Sequence, residues 1–289
     1  MNPKTQESIK HQSRILNISS LTASQMFNGS YNSNGIWTIP DLINHSDSVE
    51  HIFFSILHAE IPNTFYLINS YNNILTISVD SVSTSYTITG GNYNVTTFIT
   101  MLGTILPASY SVTYNSYTSK FILSNSSLNF TIKGDTSTIN RIMGFNTTTD
   151  SVSTLTDGVY KLTLPYCFNF IPIPRLNFRS AALQLENYNS YDKSNDVFLS
   201  LQNNSQQNSM ILFNNNTNLR YHVDVENLVQ LDIRITDDFG HYIDFNNQIW
   251  YLTIQIDTVF NTPIPKTNFK EITKNNNQNL YKYLEDLTD

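Results

Sequence analysis

The sequence predicts a mainly β protein, an antiparallel β-sandwich interrupted by a small inserted α+β domain. Three observations predict it. Apolar residues recur at every second position along much of the chain while helical spacing is scarce, which marks strands with one buried face. Strand-like runs are divided by turns rich in Asn, Ser and Gly. One segment, residues 65–148, breaks the pattern by carrying a helix among its strands.

Taken in order, residues 1–20 read as an N-terminal arm, polar at first and carrying Lys4, Lys10, His11 and Arg14 against one acid, Glu7. The first part of the sandwich, 21–64, holds the strand candidates "GIWTIP" at 35–40 and "VEHIFFSILHAEIP" at 49–62. The second has apolar residues on both faces, Ile52, Phe54 and Ile56 on one and Phe53, Leu57 and Ile61 on the other. That pattern predicts a strand covered on both sides.

The inserted domain, 65–148, offers strands at 65–69, 74–79 and 84–89, a helix at 95–106, then "SYSVTYN", "SKFILSN", "LNFTIKG" and a short helical "TSTINRIMGF". The second part of the sandwich, 149–260, supplies "VYKLTLPY" at 159–166, "RLNFRSAALQLEN" at 175–187, "DVFLSLQ" at 196–202, "SMILF" at 209–213 and "LRYHVDVE" at 219–226. Its cleanest alternations come last. Val229, Leu231, Ile233 and Ile235 oppose Gln230, Asp232, Arg234 and Thr236, and Trp250, Leu252, Ile254 and Ile256 repeat the phase. Two sequential domains fit less well, because too few strands precede residue 62 to close a sandwich alone. Residues 261–289 form a C-terminal arm, low in apolar content until a helical candidate at Leu280–Leu287. Both arms are expected to order against a partner.

A chain of 289 residues with 40% hydrophobic and 12% aromatic content can build a substantial core. The single Cys167 excludes an intramolecular disulfide and a cysteine-based zinc site, so intracellular folding is expected. The N-terminus has no signal-peptide core, and no run approaches the roughly 18 apolar residues of a membrane helix, so neither export by the usual route nor a membrane span is expected. Asn-x-Ser/Thr triplets at Asn94, Asn125, Asn129 and Asn146 are then chance products of an Asn-, Ser- and Thr-rich composition. Net charge is −7 and only 13% of residues are charged, which argues against electrostatic capture of nucleic acid and suits hydrogen bonding to close neighbours.

Candidate chemistry is thin. Gly90 and Gly91 lack the lysine and hydroxyl of a phosphate loop, and a turn capped by Asn92 or Asn94 explains them, with Val95, Phe98, Ile99, Leu102, Ile105 and Leu106 on one helical face. Asp237, Asp238, His241 and Asp244 lie close in "TDDFGHYIDF" but read as a connecting hairpin in which Gly240 takes positive φ; a glycan-cleaving pair would need two of these carboxylates about 5 to 9 Å apart across a groove. His51 and His58 are seven apart on one strand and are predicted to leave opposite faces, where they cannot share a metal. His222 has no patterned partners, and Cys167 in "LPYCFNF" reads as inert core filler. No catalytic residue, metal ligand or cofactor site is expected.

Read together, "VEHIFFSILHAEIPNTFYLINSYNN", "YTITGGNYNVTTFITMLGTIL", "YNSYTSKFILSN…FTI…STINRIMGFN" and the closing "LVQLDIRITDDFGHYIDFNNQIWYLTIQI" resemble the minor capsid, or penton, proteins of virophages, polinton-type elements and related large DNA viruses. They span most of residues 49–260. The resemblance implies a single jelly-roll base, five copies of which form a homopentamer at each icosahedral vertex beside a double-jelly-roll major capsid protein. It implies a virion location after synthesis in host cytoplasm, and an insertion on the outer side of the base. The family carries no catalytic residues to transfer. A carbohydrate- or receptor-binding jelly roll, with its site on the Tyr- and Asn-rich insertion, is the alternative.

Overall fold

The structure is a computed structural model that describes residues 8–27, 32–44, 49–183, 185, 193–223 and 227–262. The chain begins with β1 (Ser8–Ser19), β2 (Gln25–Met26), β3 (Asn34–Asn44) and β4 (Val49–Pro62). It continues through β5 (Ile74–Val79), β6 (Val82–Thr87), α1 (Val95–Ile105), β7 (Tyr110–Asn115), β8 (Lys120–Asn125), β9 (Thr131–Ile132) and α2 (Asn140–Met143). Then come β10 (Ser151–Val152), β11 (Thr154–Thr156), β12 (Val159–Thr163), β13 (Arg175–Arg179) and β14 (Val197–Gln202). The last strands are β15 (Met210–Asn214), β16 (Tyr221–His222), β17 (Asn227–Thr236) and β18 (Tyr251–Thr262).

Two five-stranded sheets make the base, one ordered β1-β18-β4-β15 with β16 also on β4, the other β14-β13-β17-β3-β2. The pairings are antiparallel, and the long strands pass from one sheet to the other except at the β13–β14 connection. That wiring is a single jelly roll. It also fixes which connections share an end. The links β1–β3, β4–β13, β14–β15 and β17–β18 meet at one end, while Ser8 and Thr262 pair at the other.

Between the sheets, Trp37, Phe178, Leu231, Ile233 and Ile235 face Phe54, Ile56, Ala59, Leu252 and Ile254. The rings of Trp37 and Trp250 sit 5.4 Å apart, and each indole N–H reaches a backbone carbonyl, of Ser19 and Asn32 respectively. Burying both indoles therefore leaves neither donor unmatched.

Several expectations are corrected by register. The predicted arm over 1–20 is a strand from Ser8, paired with β18 along its whole length; alternating Leu16 and Ile18 hold it to the core despite its polar neighbours. β4 is not covered on both sides. Its register with β18 shifts at Leu57, so the buried set changes phase from Ile52, Phe54 and Ile56 to Ala59 and Ile61, and one face stays inward throughout. The register with β3 also breaks between Leu228 and Gln230, where β3 carries the surplus residues (Leu228 opposite Ile43, Gln230 opposite Thr38), and Val229 at this break is 54% exposed instead of inward. "RLNFRSAALQLEN" is a strand only to Arg179, after which the Asp232 carboxylate accepts from Ser180 Oγ and the Ala181 and Ala182 N–H groups and turns the chain away. "LRYHVDVE" keeps two strand residues and a bridge at Val223, its last three lying outside the described residues.

The segment between β4 and β13 builds a second sandwich from β10-β9-β5-β6 and β11-β12-β8-β7. Its own core joins Leu75, Ile77 and Ile132 to Phe121, Leu123 and Leu162, with Phe98 and Leu102 of α1 between. "VYKLTLPY" therefore belongs to this unit and not to the base, since β12 pairs with β8. Alternation marked it as a strand but could not say which sheet it joined. Residues 65–69 make only the single bridge Ile68–Gly91. That bridge answers for the glycine pair: Gly91 exchanges two backbone hydrogen bonds with Ile68, and Asn94 then caps α1, its Oδ1 accepting from Thr97 N–H at 2.9 Å.

Candidate functional site

Where the insertion meets the base, the turn Asp237–His241 between β17 and β18 is gripped from the insertion side. Asp237 builds the turn, one carboxylate oxygen accepting from the N–H groups of Phe239 and His241 at 2.8 and 2.9 Å, the other 3.0 Å from His241 Nδ1. Gly240 takes φ +83°, as the tight turn requires. The imidazole thus held stacks on Tyr71 with ring centres 4.2 Å apart, and the Arg141 guanidinium lies 4.0 Å over the Phe239 ring. Further bonds tie the units: Thr64 Oγ1 donates to the Phe245 carbonyl at 2.8 Å, Asn246 Nδ2 to the Thr64 carbonyl, and Asn63 Nδ2 to the carbonyls of Ser205 and Gln206.

A cleft of about 520 Å³ opens at this seam, bounded by Asn69, Tyr71, Arg141, Ile171, Asp238 and Phe239. The structure brings Asp237, Asp238 and His241 to it, while Asp244 lines the smaller hollow beside it. Asp238 accepts from Asn177 Nδ2 at 3.0 Å and Asp244 from Asn246 N–H at 2.8 Å, so each carboxylate serves its own wall. The insertion residues that complete the seam, Tyr71 and Arg141, carry no local signal. Only the tertiary contact reveals them.

The other singled-out residues lie elsewhere. The bulge at Leu57 sends His51 and His58 out on the same face of β4, not on opposite faces; seven residues of strand, roughly 23 Å, still part them. His51 stacks edge-on against His222 at 5.4 Å. His58 lies 2.9 Å from Glu60 and 2.7 Å from Asn214, and the Glu60 carboxylate first, Asn214 second, raise its pKa above the usual imidazole value. Cys167 is exposed, not core filler, because Leu164, Phe168 and Phe170 take the inward places around it. Asn94 and Asn125 bond neighbouring backbone N–H groups, and Asn129 accepts from the Ser153 hydroxyl. Among the described residues no three His, Cys, Asp or Glu side chains gather as a metal ion would need, and no helix is long and apolar enough to cross a membrane.

No curated protein matches the chain. Among solved structures it is similar to the crystal structure of the mavirus penton protein, with 13% identity, a TM-score of 0.42, and coverage of 86% of this chain and 100% of that one. Residues 50–285 match the model of a family described as a family of unknown function, DUF5901, and the chain belongs to that family.

Proposed function

We propose that the chain is a structural virion protein, a single-jelly-roll minor capsid or penton subunit that forms pentamers at icosahedral vertices and contacts a major capsid protein. The observation that carries the reading is the polarity of the fold, taken with the ordered sequence stretches that resemble such proteins. The insertion stands on one end of the jelly roll, and Ser8 and Thr262, the first and last described residues, pair at the opposite end. A shell subunit needs such an inside and outside. In this reading the segments 1–7 and 263–289, which lie outside the described residues, reach beneath the shell to adjacent capsomers, and catalysis and nucleic-acid binding have no part. Exposed apolar residues supply material for side-to-side contact: Leu212 and Tyr251 flank Glu60 on the outer face of one sheet, 61% and 45% exposed.

Light scattering over a concentration series and electron microscopy of the purified chain, alone and with the major capsid protein, test this. Five-membered rings or vertex occupancy are expected, and Leu212→Glu with Tyr251→Glu should yield folded monomers. A strict monomer at high concentration that never enters particles overturns the proposal.

A further inference from the structure

The seam cleft does not end at Tyr71. Beyond that ring a second hollow of about 240 Å³ opens, lined by Tyr66, Tyr242 and Asp244, and the two share Asn69, Tyr71 and Ile173. Together they form one groove running along the junction of insertion and base.

We infer that this groove binds a neutral oligosaccharide of roughly two to four sugars. The aromatic lining is the first reason. Tyr66 is 42% exposed, and among the described residues neither its side chain nor that of Tyr242 makes a hydrogen bond or ring contact. Exposed Tyr66, with half-buried Tyr242 beside it, offers ring surface on which the slightly positive C–H bonds of a sugar ring settle. Polar groups line the hollows as well: Asn69 Nδ2 and the second carboxylate oxygens of Asp238 and Asp244, none of which takes a hydrogen bond among the described residues.

Charge decides which sugars fit. Among the described residues that line the groove, Asp237, Asp238 and Asp244 face one fixed cation, Arg141, and one histidine, His241, which already sits against Asp237. The groove is therefore net negative and disfavours sialylated or sulfated glycans. Its concave hollows suit a small ligand better than a protein face, which needs about 800 Å² per side. The inference does not rest on the capsid reading, because a monomeric chain carries the same groove.

The test is an array of neutral di- to tetrasaccharides beside sialylated and sulfated versions of the same cores, probed with the full chain, with hits measured by calorimetry. At least one neutral core should bind, its anionic versions weaker by about tenfold. Tyr66→Ala should weaken that binding by about tenfold while Tyr66→Phe keeps it within about twofold, with melting temperatures unchanged. Tyr242→Ala gives a second reading of the same wall. No binding to any glycan, binding to anionic glycans alone, or affinity untouched by Tyr66→Ala overturns the inference.

Discussion

The base and the insertion are both two-sheet sandwiches, yet they are specified by different means. Base strands reach 10 to 14 residues in β17 and β4, and register along them is set by distant partners and bulges. Insertion strands are six residues or fewer, and local devices hold them: the two-residue β5–β6 turn with Asp80 and Ser81 at φ 47° and 67°, the capped α1, the Asn125 side chain closing its own turn. Polar groups differ as well. The base buries an ionic ladder in which Asp196 takes Arg179 at 2.9 Å and Arg234 at 2.8 Å, whereas the insertion relies mostly on amides and hydroxyls. Non-local pairing makes a stiff platform, and local pairing makes a unit that folds around its own turns.

The strongest way to break this comparison is to empty each core in turn. Trp250→Ala removes a fully buried indole from the base and Phe121→Ala a fully buried ring from the insertion, each expected to cost about 3–5 kcal/mol. Hydrogen exchange should then quicken in β13, β17 and β18 for the first variant and in β7, β8 and β12 for the second. Equal quickening everywhere would show one cooperative body instead of two cores.

Next in size is the ionic ladder. Asp196→Ala takes a carboxylate shared by two arginines away from Arg179, a residue only 4% exposed, and should cost about 3 kcal/mol in denaturant unfolding. Asp150→Ala removes the corresponding carboxylate of the insertion, whose partner Lys133 is solvated, and should barely move the midpoint. A smaller effect sharpens the local side of the comparison. Asn94→Ala deletes the α1 cap and should lose about 1 kcal/mol, seen as faster exchange in the first turn of α1 with the base unchanged.

These differences also explain what the sequence made legible. Strand existence was readable wherever one face is buried, as in Leu231, Ile233 and Ile235, and the capped helix was readable because its signals are contiguous. Sheet membership was not: β12 alternates equally well for either sandwich, and its allegiance is decided by pairing with β8. Bulges were invisible, because an extra residue at Leu57 of β4, or surplus residues of β3 opposite Val229, leave composition unchanged while reversing or exposing a face. At the seam, the Asp237–His241 turn was legible from its own residues. Tyr71 and Arg141 were not, since they come to it from distant points of the chain.

The smallest expected effect separates the two regions by pH. In the base, His58 gains from Glu60 and Asn214, so its folded pKa lies above its unfolded one, and the stability this supplies is full below the unfolded value and fades as pH rises through the folded one. In the insertion, Asp150 is held below the usual carboxylate range by Lys133 first and the Gly134 N–H next. That contribution is full above the unfolded carboxylate pKa and fades as pH falls through the folded one. The two linkages therefore run in opposite directions: alkaline solution relaxes the base and acid relaxes the insertion. Both groups are partly solvated, so salt screens them and the shifts are small. Melting of the parent chain against His58→Gln should show a gap near pH 5 that closes by about pH 9, while Asp150→Asn should show one at neutral pH that closes towards pH 2. A His58 gap that instead widens with pH would mean that the imidazole is held neutral and that Asn214, not Glu60, is the contact that matters.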